Sequence, residues 1–153
     1  MKYAVFFLSI VGIACKQPAA TTYPTIGSLE ALTPEFYQII DSGALPEILA
    51  DGFEWTEGPL WIPASQTVLF SDIPPNRIYQ WQEATGVKVY LEPSGYTGTK
   101  PRGGEPGSNG LLINNEGKLV LCQHGDRRMA VMDAALEKPA SKFLTLADNW
   151  EGK

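Results

Sequence analysis

The sequence predicts an all-β fold of the β-propeller class, with room for about two four-stranded blades behind a short N-terminal helix. Three observations predict it. Apolar runs, "PEILA", "PLWI", "TVLFS", "RIYQW" and "VKVYL", succeed one another from Leu45 to Leu91, with the turn stretches "DG", "PASQ", "IPPN" and "EATG" between them. The chain then echoes itself. "EGPLWI" from Glu57 returns as "NGLLIN" from Asn109, "TVLFSD" ending at Asp72 as "KLVLCQH" ending at His124, and "NRIYQW" from Asn76 as "RRMAVM" from Arg127, at offsets of 52, 52 and 51 residues. A repeat of that length holding four short strands is the period of propeller blades rather than of a sandwich.

In chain order, Lys2, the apolar run Tyr3 to Ala14 and small Ala14 before Cys15 predict that residues 1–15 are an export signal. The run matches a signal-peptide core in length and is too short to span a bilayer comfortably. "VGIAC" resembles a lipoprotein cleavage box with Cys15 as the acylated residue, which predicts a periplasmic or outer-membrane-anchored bacterial protein. Residues 16–26 read as a polar tether. "LTPEFYQIIDSG" then predicts the short helix, with Thr33 as N-cap, Pro34 at the first helical position and Ser42-Gly43 as the stop. Residues 27–153 are expected to form the N-terminal part of the propeller domain. In "VKVYL", the alternation of Val87, Val89 and Leu91 with Lys88 and Tyr90 predicts a half-covered outer strand.

Propellers close with about 4–8 blades, leaving no long open edge. Two are visible, so the reading is of the first part of a longer chain. "LPEILADGF" is then the strand that joins the two ends of the ring.

A hydrophobic content of 44% and a charged content of 19% are those of a globular protein. The net charge of −5 argues against non-specific nucleic-acid binding, which needs clustered Lys and Arg. Two cysteines, Cys15 and Cys122, exclude a disulfide framework and a Cys-rich zinc site. Cys122 sits in a strand-like run, where a free thiol behaves as a small hydrophobe. "GGEPGSNG" lacks the helix and the Lys-Ser/Thr pair of a phosphate loop, and there is no G-x-S-x-G nucleophile elbow.

The chemistry is expected where the innermost strands begin. Glu57 and Asn109 head those strands in successive units and so converge on the central channel. A carboxylate and a carboxamide oxygen are hard ligands suited to Ca²⁺ or another divalent cation. His124 and Asp72, at the ends of the second strands, are expected at the same end as substrate-pocket residues. His124 could also shuttle a proton near neutral pH. The connection "SGYTGTKPRGGEPGS" brings Tyr96, Lys100 and Arg102 to that end, where Arg102 suits an oxygen-rich substrate. Connections this long are lids, binding loops or disordered segments. Trp55 and Trp61 are expected to be buried strand aromatics rather than sugar-stacking platforms.

"GFEWTEGPLW", "LFSDIPPNRIYQW", "SNGLLINNEGKLVLCQHGDRR" and "LADNWEGK" together resemble the bacterial gluconolactonases, in the family of senescence marker protein (regucalcin). More distantly they are similar to diisopropylfluorophosphatase and paraoxonase. The resemblance runs from about Ile26 to Lys153. It implies a six-bladed propeller with a catalytic divalent cation, usually Ca²⁺, in the axial channel, and hydrolysis of small-molecule lactones, particularly sugar lactones. It matches Glu57 to the first-blade carboxylate ligand and Asn109 to the second-blade asparagine. The later aspartate of the family, a ligand also taken as base or nucleophile, has no counterpart here, so the catalytic group is not among these residues. Some sugar lactonases carry an arginine two residues before the asparagine, where this chain has Gly107. The alternative is a non-catalytic propeller that binds a carbohydrate or protein and holds a structural calcium.

Overall fold

The structure, a computed structural model, describes residues 22–147. The export signal, Cys15, residues 16–21 of the tether and residues 148–153 lie outside the described residues. Eight strands build two antiparallel meanders. The first sheet runs in the order β1 (Thr56–Ile62), β2 (Thr67–Asp72), β3 (Arg77–Gln82), β4 (Gly86–Leu91). The second runs β5 (Ser108–Ile113), β6 (Leu119–Gln123), β7 (Arg128–Met132), β8 (Phe143–Ala147). Apart from one 3₁₀ turn, the described residues hold no helix, so the all-β expectation stands.

The helix expected over "LTPEFYQIIDSG" is only that turn, Pro34–Gln38. Thr33 has the extended backbone of an N-cap but gives no side-chain cap bond, and none of the five residues is buried. A segment this short has no apolar face packed on anything, and an isolated helical turn is then marginal. "PEILA", expected as a strand, is reduced to a single bridge between Glu47 and Thr25, with Ile48 N–H donating to Pro24 C=O at 2.7 Å.

The core lies between the two sheets. Leu69, Ile78 and Leu91 of the first sheet meet Leu119, Leu121 and Met132 of the second, and Leu60, Ile62, Leu111, Ile113 and Phe143 pack around them. Burying a side chain of this size fully contributes about 1.5–3 kcal/mol. The expected alternation in β4 breaks. Leu91 pairs with Ile78 and Val89 with Tyr79, so Tyr90 is the extra residue of a bulge. The bulge turns Val89 outward and sends Tyr90 toward the second sheet, where its hydroxyl donates to Leu136 C=O at 2.9 Å.

The repeat is real, with one correction to its register. Thr56 pairs with Asp72 and Ser108 with Gln123. Positions 56 and 108 lie 52 apart, but 72 and 123 lie 51 apart. The counterpart of Asp72 is therefore Gln123, and that of His124 is Ile73. Shifting β6 by one residue exchanges the faces of a strand, and the burial pattern agrees. Leu69 and Ser71 face the second sheet, whereas Cys122, which the corrected register makes the equivalent of Ser71, is exposed on the second sheet's outward face. The outward face of the second sheet carries Leu112, Met129, Leu144 and Leu146, all substantially exposed. Trp55 and Trp61 also stand about half exposed (49% and 48%), against the expectation that they are buried.

Candidate functional site

Because both sheets are antiparallel meanders, the starts of β1 and β5 and the ends of β2, β4 and β6 all fall at one end of the molecule. The 73–76 and 124–127 turns and the 92–107 connection close that end. Glu57 and Asn109 meet there. Asn109 Nδ2 donates to Glu57 Oε2 at 3.1 Å, both side chains being part-buried. With its nitrogen turned to the carboxylate, Asn109 accepts at Oδ1 from no other described residue.

Gly58 makes this approach possible. It has a φ of +59°, and a Cβ there would stand 2.2 Å from the Asn109 backbone oxygen. Only a residue without a side chain lets β1 come this close to β5 while adopting the left-handed backbone. Asn109 is fixed from behind. Buried Ser71 Oγ and Ser108 Oγ share a hydrogen bond of 2.8 Å, and Ser71 Oγ donates to Asn109 C=O at 3.0 Å. Ser108 N–H in turn donates to Ser94 Oγ at 3.1 Å. Buried hydroxyls between sheets are costly unless paired, and these are paired to one another.

Asp72 is not open to a pocket. It is 2% exposed, and its carboxylate accepts from Trp55 N–H at 2.9 Å and Glu54 N–H at 3.2 Å. It therefore anchors the segment leading into Glu57, acting on the site by holding backbone. Gln123, its counterpart, holds a more distant segment: Nε2 donates to Ser94 C=O at 2.9 Å, in the connection between the sheets.

The 92–107 connection is anchored rather than loose. Asn76, at φ 59°, accepts at Oδ1 from the N–H groups of Ser94 (3.1 Å), Gly95 (2.7 Å) and Tyr96 (3.2 Å), and donates to Tyr96 C=O. Thr97 bonds Asp126 through both its N–H and its hydroxyl. Arg102 donates to Gly125 C=O and lies 5.5 Å over the Tyr96 ring, so it straps the connection to the 124–127 turn. Sequence reasoning missed Asn76 as the organiser. The signal was an asparagine in the "IPPN" turn, a residue that tolerates positive φ and can bond several backbone groups nearby.

His124 lies beside Asn109 in a shallow pocket of about 310 Å³ that Arg127 and Arg128 also line. Its Nδ1 stands 3.1 Å from Glu105 Oε2, close enough for an ion-pair contact but without the direction of a hydrogen bond. Gly107 resolves the missing arginine. A Cβ there would stand 2.6 Å from Ile73 C=O, so no side chain fits at that position on this backbone. Gly107 N–H instead donates to that same carbonyl at 3.0 Å.

For a divalent cation, Glu57 and Asn109 are the right kind of donor: hard oxygens, one anionic, from neighbouring sheets. They are two of the six to eight that Ca²⁺ collects. Among the described residues no three His, Cys, Asp or Glu side chains come together as a metal site. The fit is that of a partial site, with most of the ligands still to be supplied.

Residues 55–152 match the family described as SMP-30/Gluconolactonase/LRE-like region. The chain belongs to that family. It is 33% identical over 131 residues to the gluconolactonase of Zymomonas mobilis, the match covering 84% of this chain and 36% of that protein. An X-ray structure of a candidate gluconolactonase superposes with a TM-score of 0.63 at 35% identity, covering 82% of this chain and 38% of that one. A gluconolactonase of Xanthomonas campestris superposes with a TM-score of 0.65 at 26% identity, covering 90% and 41%. The chain thus spans little more than a third of the curated relative it matches. The two sheets are blades of the propeller type, as the repeat predicted.

Proposed function

We propose that the chain forms the first two blades of a six-bladed, divalent-cation-dependent lactonase, with sugar lactones such as gluconolactone as the substrate class. Family membership and the named relatives support the reaction class, and the 36–41% coverage of those relatives supports a longer whole. The observation that carries the reading is the 3.1 Å contact between Asn109 and Glu57 at the head of adjacent inner strands.

In this reading Glu57 and Asn109 hold the cation, calcium by preference, with further oxygen ligands from later blades. When bound, the cation supplies Lewis-acid polarisation of the lactone carbonyl. Glu57 contributes the negative charge of this part of the site, and Asp72 keeps the backbone before it in place. His124 and Arg102 border the substrate from the second blade and the connection. The group that activates water belongs to the later blades.

The test is Glu57→Gln in a chain that spans the whole propeller, assayed for gluconolactone hydrolysis. Loss of an outer-sphere partner costs about 10–100-fold, and loss of a direct anionic ligand is expected to cost more than 100-fold. Turnover within a factor of three of the parent would refute the catalytic reading and favour a propeller that only binds sugar or protein.

A further inference from the structure

The turn that carries Arg127 is the second-blade copy of the turn that carries Asn76. Each is closed by a bond from the fourth N–H to the first carbonyl, Asn76 to Ile73 at 3.0 Å and Arg127 to His124 at 3.1 Å. Each puts that fourth residue at positive φ, 59° and 57°. Glycine and asparagine suit this backbone, and an arginine there pays a steric penalty for its Cβ. Asn76 returns that penalty through four hydrogen bonds to the 94–96 backbone. Arg127 returns nothing: its side chain is exposed and has no hydrogen bond, ion pair or ring contact among the described residues.

The neighbouring charges are already matched. Arg128 pairs with Asp126 at 3.2 Å and bonds Gln123 Oε1 at 2.7 Å, and its guanidinium lies 5.9 Å over the Phe143 ring. Glu105 is held against His124. That leaves one uncommitted guanidinium among the described residues on the wall of the pocket that His124 and Asn109 also line. A planar fork of N–H donors with no partner of its own is a receptor for an oxyanion.

We propose that this pocket is an oxyanion subsite, with Arg127 as its principal ligand, that takes the carboxylate or phosphate of a sugar-derived molecule. It rests on the lactonase reading only for the word "sugar"; oxyanion capture needs neither the cation nor turnover. A carboxylate would mean that the ring-opened hydroxy acid is held after hydrolysis, and a phosphate that the substrate is a phosphorylated lactone.

The chain is titrated with D-gluconate, glucose 6-phosphate and D-glucose, following Arg side-chain and His124 ring resonances by NMR. One of the two anions is expected to saturate with shifts at both residues, glucose to give none, and the tighter anion names the source. Arg127→Asn, which fits the left-handed backbone as Asn76 does, should melt no lower than the parent and bind the anion at least about 10-fold more weakly, the share of a charged hydrogen bond. Arg127→Lys should fall between. Binding unchanged in Arg127→Asn, equal shifts with glucose, no saturation by either anion, or a lower melting point of Arg127→Asn at unchanged affinity would each overturn the proposal.

Discussion

Gly58→Ala is the sharpest probe of how the two inner strands meet. The substitution adds one methyl group at a φ of +59°, with the Asn109 backbone oxygen 2.2 Å away and the Gly110 Cα 3.1 Å away. Two costs arise. The left-handed backbone disfavours any Cβ by about 1–2 kcal/mol, and forcing a methyl into occupied space costs about 1–3 kcal/mol more. The obstructing atoms belong to the β5 backbone and cannot rotate away as a side chain would. Gly117→Ala is the matched control: its φ is +75°, but nothing lies within 4 Å of the added methyl. It carries the first cost alone, and both variants lose the same unfolded-chain freedom. Urea denaturation followed by Trp fluorescence should therefore place Gly58→Ala about 1–3 kcal/mol below Gly117→Ala at equal m-value. The side-chain amide resonances of Asn109 should move in Gly58→Ala and stay put in Gly117→Ala, because the strand must retreat and take the contact with Glu57 along. Equal stabilities, within about 0.5 kcal/mol, would mean that β1 and β5 are not in the close register described, and the site built on it would fail.

Two further perturbations test the supports of the site. Asp72→Ala strips the acceptor from the N–H groups of Glu54 and Trp55 and should destabilise the chain by about 3 kcal/mol, while Asp72→Asn, which keeps one oxygen, should cost roughly half as much; faster hydrogen exchange at Trp55 N–H would localise the loss. Burial against the second blade, with Glu137 adding a smaller push, raises the Tyr90 phenol to about 12. The unfolded phenol loses its proton first, so stability is intact below pH 10 and falls between pH 10 and 12. The full linkage of about 2.7 kcal/mol shrinks to roughly 1 because the group is only partly buried. Tyr90→Phe should flatten that limb of a pH-dependent melt, and an unchanged slope would place the phenol in solvent.

Strand positions and the blade period were legible because apolar runs and turn residues carry them directly, and the meeting of Glu57 with Asn109 was legible because both head the repeat. What failed was what depends on one residue of register or on tertiary cover. His124 matched Asp72 in the letters "QH" and "SD", but the ladders put Asp72 across from Thr56 and Gln123 across from its equivalent Ser108, which makes Gln123 the counterpart of Asp72. The bulge at Tyr90 inverted the faces of β4, and no pattern of apolar residues announces a bulge. Trp55 and Trp61 looked like core and are half exposed, because burial of a strand face depends on what lies against it. Asp72 looked like a pocket carboxylate, since a sequence gives no sign of whether a side chain meets solvent or backbone N–H groups.

The same register explains why the site does not depend on a ligand for its shape. Asn76 fixes the 94–96 backbone, Ser94 receives the Ser108 N–H, Ser108 bonds Ser71, Ser71 holds the Asn109 carbonyl, and Asn109 reaches Glu57. Each link crosses between the two blades or between a blade and the connection that joins them. Asp72 closes the other side by holding the backbone two residues before Glu57. A carboxylate beside a carboxamide on two exposed loops would have to be ordered by whatever bound it, and that ordering would subtract from affinity. Here the ordering is supplied by buried hydroxyls and a glycine contact that the fold requires anyway. Substitution of Asn76, Ser94, Ser108 or Ser71 should therefore weaken the site by disordering it, leaving its charge unchanged.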